Sequence, residues 1–292
     1  MNSIDKETAQ TLLKGFVIPP RPEVLTRFNE EKNKPAPNLK TLADIVSMDP
    51  GISASLIKTI NSPIFGSRRK IASVHEAVSL LGISSMDNIV TSLALIAANG
   101  KQVNLERFWD TAMDVANISR SLAKNVIGVS DSDAFTLGMF HDCGIAMMMQ
   151  RMPDYKQFLS QANNDTENTL TALEDQRYQT NHATIGFLVA KAWNMPEHIC
   201  LAIQMHHEHI DFGSPLAGYD ERILPLLAIL KMAQHLNHLC RNTQDSDGWT
   251  QMSVSVLDYL GIGADEFEEI ETEMRQNSTV TPQAWIAKSV GP

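Results

Sequence analysis

The chain has 292 residues, of which 43% are hydrophobic and 20% are charged, and its net charge is −10 with histidine neutral. A chain of this length can bury roughly 75% of its unfolded surface, and this composition excludes an intrinsically disordered protein. Neither disulfides nor a metal are therefore needed for its stability. The acidic surface repels phosphate backbones, so nucleic acid is not an expected partner.

The cysteines and the N-terminus indicate the compartment. Cys143, Cys200 and Cys240 are widely spaced and form no Cys-x-x-Cys pair. This pattern predicts neither a disulfide framework nor a cysteine-rich zinc site, and it favours a reducing compartment. The first 16 residues carry charges where a signal peptide needs an apolar run, and no uninterrupted apolar stretch approaches the roughly 20 residues that span a bilayer. We therefore expect a soluble cytoplasmic protein that does not bind membranes.

The first hundred residues show helical spacing and helix-start signals. Hydrophobic residues in 39–46 recur at steps of three and four residues. Asp49-Pro50 predicts a helix start, because proline at the first helical position gives up an N–H that has no partner there. The segment 73–76 has the capping-box pattern, and Gly82 is placed to end that helix in a left-handed conformation. Strand patterns of period two are scarce throughout the chain.

The rest of the chain continues the helical pattern. Ser130 with Asp133 opens a predicted helix that is apolar on nearly every face and is expected at the centre of the fold. Further helices are predicted over 154–162, 166–178, 182–194, 196–208, 221–240, 253–260, 264–275 and 282–289, with loops over 210–220 and 241–252. The best internal boundary is 98–106. The sequence thus predicts an all-α protein in which a helical subdomain, 1–100, packs on a second, 101–292.

Histidine is the residue type that carries the functional signal. Three of the nine histidines lie in 206–209 at the end of a predicted helix, His141-Asp142 lies in the central apolar helix, and His182 begins another helix. Imidazole nitrogens and carboxylate oxygens suit divalent metals, and such side chains on facing helices build metal sites inside bundles. The alternative for 206–209 is a solvated helix end, where imidazolium groups suit the C-terminal dipole.

Several segments, in order, resemble the HDOD domain, a bacterial signalling module related to HD-type metal phosphohydrolases. The matching segments are LADIVSMDPGISASLIKTINSPIFG, IASVHEAVSLLG, FWDTAMDVANISRSLA, LGMFHDCGIAMM, HATIGFLVAKAWNMP and ICLAIQMHHE. The resemblance as a whole covers about residues 18–240. The resemblance implies an all-helical fold with an HD-like C-terminal part, and usually a regulatory rather than a catalytic role.

The resemblance also implies a set of metal ligands, matched position by position. The retained positions are His141, Asp142, His182, His206 and His207. The first histidine of active HD enzymes falls at Thr111, and their closing aspartate falls at Gln234, so both ligands are absent. The lysine that related phosphodiesterases carry just after the His-Asp pair is replaced by Ala146.

These losses shape the expected function. A neutral amide at Gln234 and a weak hydroxyl ligand at Thr111 leave enough donors for one divalent metal (Fe, Mn, Zn or Ni), but hardly for the paired site that phosphodiester hydrolysis favours. We therefore expect a non-catalytic regulatory module that binds signalling proteins or a small ligand. One alternative is a divalent-metal-dependent phosphohydrolase that acts on a nucleotide or a phosphodiester. Another is a structural scaffold with an empty cleft.

Overall fold

The computed structural model describes residues 19–61, 70–98, 105–162, 165, 168–241 and 248–276. In these ranges every regular element is a helix, which confirms the predicted all-α fold. The helices are α1 (Glu23–Lys32), α2 (Leu39–Ser47), α3 (Pro50–Ile60), α4 (Val74–Ala98), α5 (Glu106–Ala123), α6 (Asp131–Phe140), α7 (Cys143–Arg151), α8 (Tyr155–Ala162), α9 (Leu170–Tyr178), α10 (His182–Ala192), α11 (Glu197–Met205), α12 (Ile223–Arg241), α13 (Trp249–Leu260) and α14 (Ala264–Gln276).

The predicted helix-start signals form real caps. The Asp49 carboxylate accepts hydrogen bonds from the backbone N–H groups two and three residues later, at 2.9 and 3.0 Å. The Ser130 hydroxyl caps α6 by accepting from the Asp133 N–H at 3.1 Å. The Ser73 hydroxyl accepts from the Glu76 N–H at 3.2 Å, while the Glu76 carboxylate accepts from the N–H of residue 72 rather than of the cap itself. Each cap satisfies amides that a helix start leaves without intrahelical partners.

Helix α4 changes direction at Gly82, as the sequence predicts. The backbone angles there are φ 71° and ψ 177°, a conformation that is essentially restricted to glycine. By length and composition α4 is apolar enough to cross a membrane, but half of its most apolar window is buried inside the fold. It packs on α2, α3 and α6, so its apolar character is explained by its place in the core.

One hydrophobic cluster runs through both parts of the chain. Helices α1–α4 supply its N-terminal side, and α5–α8 and α10–α14 supply most of the rest. Most of the predicted boundary, 98–106, lies outside the described residues, so the division into 1–100 and 101–292 stays a prediction. The predicted helix over 282–289 also lies outside them.

Several helix ends differ from the predicted ones. Helix α11 ends at Met205, three residues before its predicted end, which leaves 206–209 in the following turn. Helix α13 begins at Trp249, inside the predicted polar loop 241–252, because the Trp249 side chain is buried and stacks on His235 of α12. The polar composition of 241–252 therefore predicts a loop, whereas the packing of Trp249 on α12 extends the helix into this segment.

Two close helix contacts position the residues around 141–144. A Cβ atom at Gly138 would lie 2.6 Å from the Ala116 Cα atom, so α6 packs directly on α5. A Cβ atom at Gly144 would lie 2.0 Å from the backbone oxygen of His182, so the first turn of α7 touches the first turn of α10. Glycine at these two positions lets two pairs of helices, α5 with α6 and α7 with α10, pack closely beside the His-Asp pair.

We predict that Gly144→Ala lowers the free energy of unfolding by about 1–3 kcal/mol, because the added methyl forces α7 away from α10. Urea unfolding measures the change. Gly263→Ala is the control, since no heavy atom lies within 4 Å of a Cβ atom there. Equal stability of the two variants would contradict the close contact.

Candidate metal centre

His141 and Asp142 lie between two helices. The sequence predicts one central helix through both residues, and this prediction is wrong. Helix α6 ends at Phe140 and α7 begins at Cys143, while Asp142 has φ −103° and ψ 9°, outside the helical range. Two residues after the break, Gly144 lies directly against the backbone of His182 in α10. The break places both functional groups at a junction of three helices.

The five predicted ligand residues come together at this junction. The structure brings Asp142 together with His182 at the start of α10 and with His206 and His207 after the end of α11, and their possible ligand atoms all lie within 4.8 Å of one another. The Nε2 atom of His141 lies 3.2 Å from the Asp142 carboxylate. We call the set His141, Asp142, His182, His206 and His207 the candidate centre. That these residues bind a metal stays a prediction.

Three of the histidines present the same ring atom to Asp142. The Nδ1 atoms of His141 and His206 lie 2.7 and 2.6 Å from the carbonyl oxygen three residues earlier in each case. The Nδ1 atom of His182 lies 2.7 Å from the Glu174 carboxylate. Because these oxygens only accept, each Nδ1 carries its proton and donates it. The Nε2 atoms then face the Asp142 carboxylate at 3.2, 3.3 and 3.5 Å for His141, His206 and His182.

The protonation state of His206 indicates whether these ring atoms could bind a metal. Burial lowers the pKa of His206 to about 4, so near neutral pH its ring is uncharged and its Nε2 atom carries a lone pair. That lone pair faces an oxygen of Asp142 at 3.3 Å, and a cation held between two such acceptors would stabilise the pair. The Nε2 atom of His182 is also buried and has no hydrogen-bond partner among the described residues. The donor set therefore fits a divalent metal.

Asp142 and His207 are in the ionisation states that metal binding requires. Burial alone would raise the pKa of Asp142, but the charge and hydrogen bond of His141 outweigh burial and hold the pKa well below its usual range. Burial lowers the pKa of His207 well below its usual range, and the charges of neighbouring groups lower it further. The Asp142 side chain is 27% exposed and His207 is half-buried, so one side of the centre reaches solvent.

Behind His182 lies a second carboxylate that the sequence analysis missed. Glu174 of α9 is fully buried and accepts from the His182 ring and, at 2.9 Å, from the His182 backbone N–H. The Tyr155 hydroxyl donates to its other oxygen. Burial alone would lower the pKa of His182, but the Glu174 carboxylate outweighs burial and raises the pKa. A carboxylate in this position fixes the ring orientation of a histidine ligand and increases its basicity.

The two lost ligand positions remain neutral in the structure. The Thr111 hydroxyl donates to the Arg107 carbonyl of its own helix at 2.9 Å. Gln234 of α12 is 5% exposed, and its amide oxygen is buried without a partner among the described residues. One helical turn before it, Lys231 is also buried, and its positive charge contributes to the lowered pKa of His207. Sequence analysis missed Lys231, although a lysine inside the apolar run 223–236 was an available signal.

The comparison with protein families shows which family this chain belongs to. The family model of the HDOD domain matches residues 18–209, which is more than half of the 292-residue chain. The chain belongs to the HDOD domain family. The match covers the candidate centre and ends at His209, before the α12 residues Lys231 and Gln234.

Solved structures share the HDOD fold of this chain at low sequence identity. An HDOD domain protein of unknown function from Geobacter sulfurreducens is 21% identical, with a TM-score of 0.71 and coverage of 98% of this chain and 99% of that one. A provisionally named phosphohydrolase from Shewanella amazonensis is also 21% identical, with a TM-score of 0.69 and 97% coverage of both chains. A provisionally named signal transduction protein from Marinobacter aquaeolei is 18% identical, with a TM-score of 0.65 and coverage of 100% of this chain and 62% of that one. These likenesses show the fold alone.

An uncharacterized protein from Treponema pallidum is 22% identical over 266 residues, which cover 89% of this HDOD chain. The chain spans 49% of the length of that curated relative.

We predict that Glu174→Gln weakens metal binding by about 10- to 100-fold, because the neutral amide no longer holds the His182 ring as an Nδ1–H donor with the same strength. Calorimetric titration of metal-free protein with zinc measures the affinity. The control is Glu197→Gln, which removes an exposed carboxylate that pairs with Lys191. Equal zinc affinities for the two variants would show that Glu174 does not support the centre.

Proposed function

We propose that this chain is a regulatory HDOD module that holds one divalent metal at the candidate centre and does not hydrolyse phosphodiesters. The observation that carries the proposal is the composition of the centre. Asp142 is the one carboxylate of the four-residue donor group found in the described part of the chain, and the other three members are histidines. The positions where active HD enzymes carry further ligands hold Thr111 and Gln234.

The donor set supports binding of a single metal. The Nε2 atoms of His182 and His206 and the carboxylate of Asp142 converge from three helix ends, with the Nδ1 side of each of these rings fixed by a hydrogen bond. Nitrogen-rich sites of this kind suit zinc, iron, manganese or nickel. A bound metal would supply a fixed positive charge on the solvent side of Asp142, where an anionic group of a ligand or partner protein would be attracted.

The surroundings of the centre oppose a second metal. Two-metal hydrolysis needs a second cation to stabilise both the attacking and the leaving oxygen. On the α12 side the chain offers the neutral Gln234 amide and the buried Lys231 ammonium, whose charge already acts on His207. An ammonium group repels a dication, and an amide binds one more weakly than a carboxylate does. Regulation by binding is therefore favoured over hydrolysis.

We predict that untagged protein purified without chelator contains about one metal per chain, measured by mass spectrometry of the metals. A chelator should lower the melting temperature of the wild type, because the metal binds only the folded chain. Asp142→Asn should abolish this shift, since it removes the carboxylate of the donor group. Asp154→Asn is the control, because it changes an exposed carboxylate that pairs with Arg177. Metal-free protein that Asp142→Asn stabilises would instead support the structural scaffold.

The second candidate function is metal-dependent phosphohydrolysis, and the donor group itself favours it. We predict no turnover of bis-p-nitrophenyl phosphate or of a cyclic dinucleotide above background with added manganese or iron(II), because the second cation has no site. Turnover that is lost in His141→Ala, with the helical circular dichroism spectrum retained, would establish the hydrolase and contradict the regulatory proposal.

A further inference from the structure

A second candidate site lies between the N-terminal helices and the rest of the fold. A cavity of about 370 Å³ is bounded by α1 and α4 on one side and by the first turns of α6 and α11 on the other. Its volume lies within the range of small-molecule sites, and such sites occur preferentially where two packed units meet. We call it the junction cavity.

The lining of the junction cavity is polar, although it lies within a packed interface. Its carboxamides and charged groups are Asn29, Asn33, Asn88, Asn194, Arg21, Lys32, Asp87 and Asp133. Polar groups that are withdrawn from water lose free energy unless hydrogen bonds replace their hydration. The pairing of these groups therefore indicates what the cavity is built to receive.

Several of these polar groups are paired with other side chains of the protein. The Lys32 ammonium lies 2.5 Å from the Asp87 carboxylate, and the Asp133 carboxylate lies 2.8 Å from the His198 ring. The Asn88 side-chain oxygen accepts from the Ser132 hydroxyl at 2.9 Å. The first contact joins α1 to α4, the second joins α6 to α11, and the third joins α4 to α6, so each of these groups has a partner inside the fold.

Two buried polar atoms of the lining have no hydrogen-bond partner in the described part of the chain, and one is a donor while the other is an acceptor. They are the Nε atom of Arg21 and the Oδ1 atom of Asn29. The Arg21 group is a cationic N–H donor that needs an acceptor, and carboxylates and phosphates match a guanidinium best. The Asn29 oxygen is an acceptor that needs a donor. Burial lowers the pKa of Arg21, and the charge of Asp87 offsets only part of that effect.

We propose that the junction cavity binds a small anion that also carries an N–H donor. Its carboxylate or phosphate faces Arg21, and its N–H group faces Asn29. The site goes beyond the proposed metal function, since none of its lining residues belongs to the candidate centre. It lies near that centre, however. Trp193 lines the cavity and packs edge-on against Phe140, the residue before His141, with ring centroids 6.0 Å apart.

Amino acids and nucleotides both offer this chemistry, so the experiment uses one of each. The full chain is titrated calorimetrically with L-glutamine and with adenosine monophosphate, in the presence of a chelator so that anions bound to a metal contribute nothing. We expect one of the two probes to bind with a stoichiometry of one. Binding of glutamine assigns the site to amino-carboxylates, and binding of the nucleotide assigns it to phosphates.

Variants in and just before α1 test the two proposed contacts. Arg21→Gln is expected to weaken binding of that probe about tenfold or more, because a charged hydrogen bond is lost. Asn29→Ala is expected to weaken binding as well. The smaller, uncharged side chain at the cavity wall should leave the fold intact. Arg27→Gln is the matched control, since Arg27 is half-exposed and pairs with Glu23 of the same helix. Failure of both probes to bind the wild type would overturn the proposal. Equal affinity of the Arg21 and Arg27 variants would also overturn it.

Discussion

The proposed metal centre depends on one buried contact, in which the uncharged ring of His206 turns a lone pair toward the Asp142 carboxylate at 3.3 Å. The carbonyl of Ile203 holds the ring in this orientation by accepting the Nδ1 proton. Two acceptors at this distance are a poor pair in a protein interior, and a shared cation converts them into a good one. His182 has the same ring orientation, with its Nδ1 atom on Glu174 in place of a carbonyl and its Nε2 atom 3.5 Å from Asp142. The fold thus prepares the centre from outside, by fixing the rings.

The packing of α7 on α10 positions Asp142 for this contact. Gly144 allows α7 to touch the backbone of His182, and α6 ends just before His141. Asp142 is consequently not part of a helix face, and its carboxylate is available to three histidines at once. On the α12 side Lys231 and Gln234 are buried, and the Lys231 charge contributes to the lowered pKa of His207.

Sequence reasoning reached the fold class, the caps at Asp49 and Ser130, and the turn at Gly82, because each rests on local backbone chemistry. It also brought together the five histidine and aspartate positions through an ordered family resemblance. It missed the break at 141–142, which lies beside a contact with α10, about forty residues away in the chain, that the local pattern does not show. Glu174 and Lys231 were missed for a related reason. Their importance lies in what they touch, and a helical pattern does not distinguish a buried carboxylate behind a histidine from one in solvent.

The most direct measurement is an anomalous-scattering map from crystals of untagged protein grown without chelator, with data collected at the absorption edges of zinc, iron, manganese and nickel. The account predicts a single peak bonded to the Nε2 atoms of His182 and His206 and to the Asp142 carboxylate, with Lys231 beside it. Two peaks bridged by a solvent oxygen would contradict the single-metal regulatory centre. A map without any peak, with the His206 ring turned away from Asp142, would contradict the metal itself.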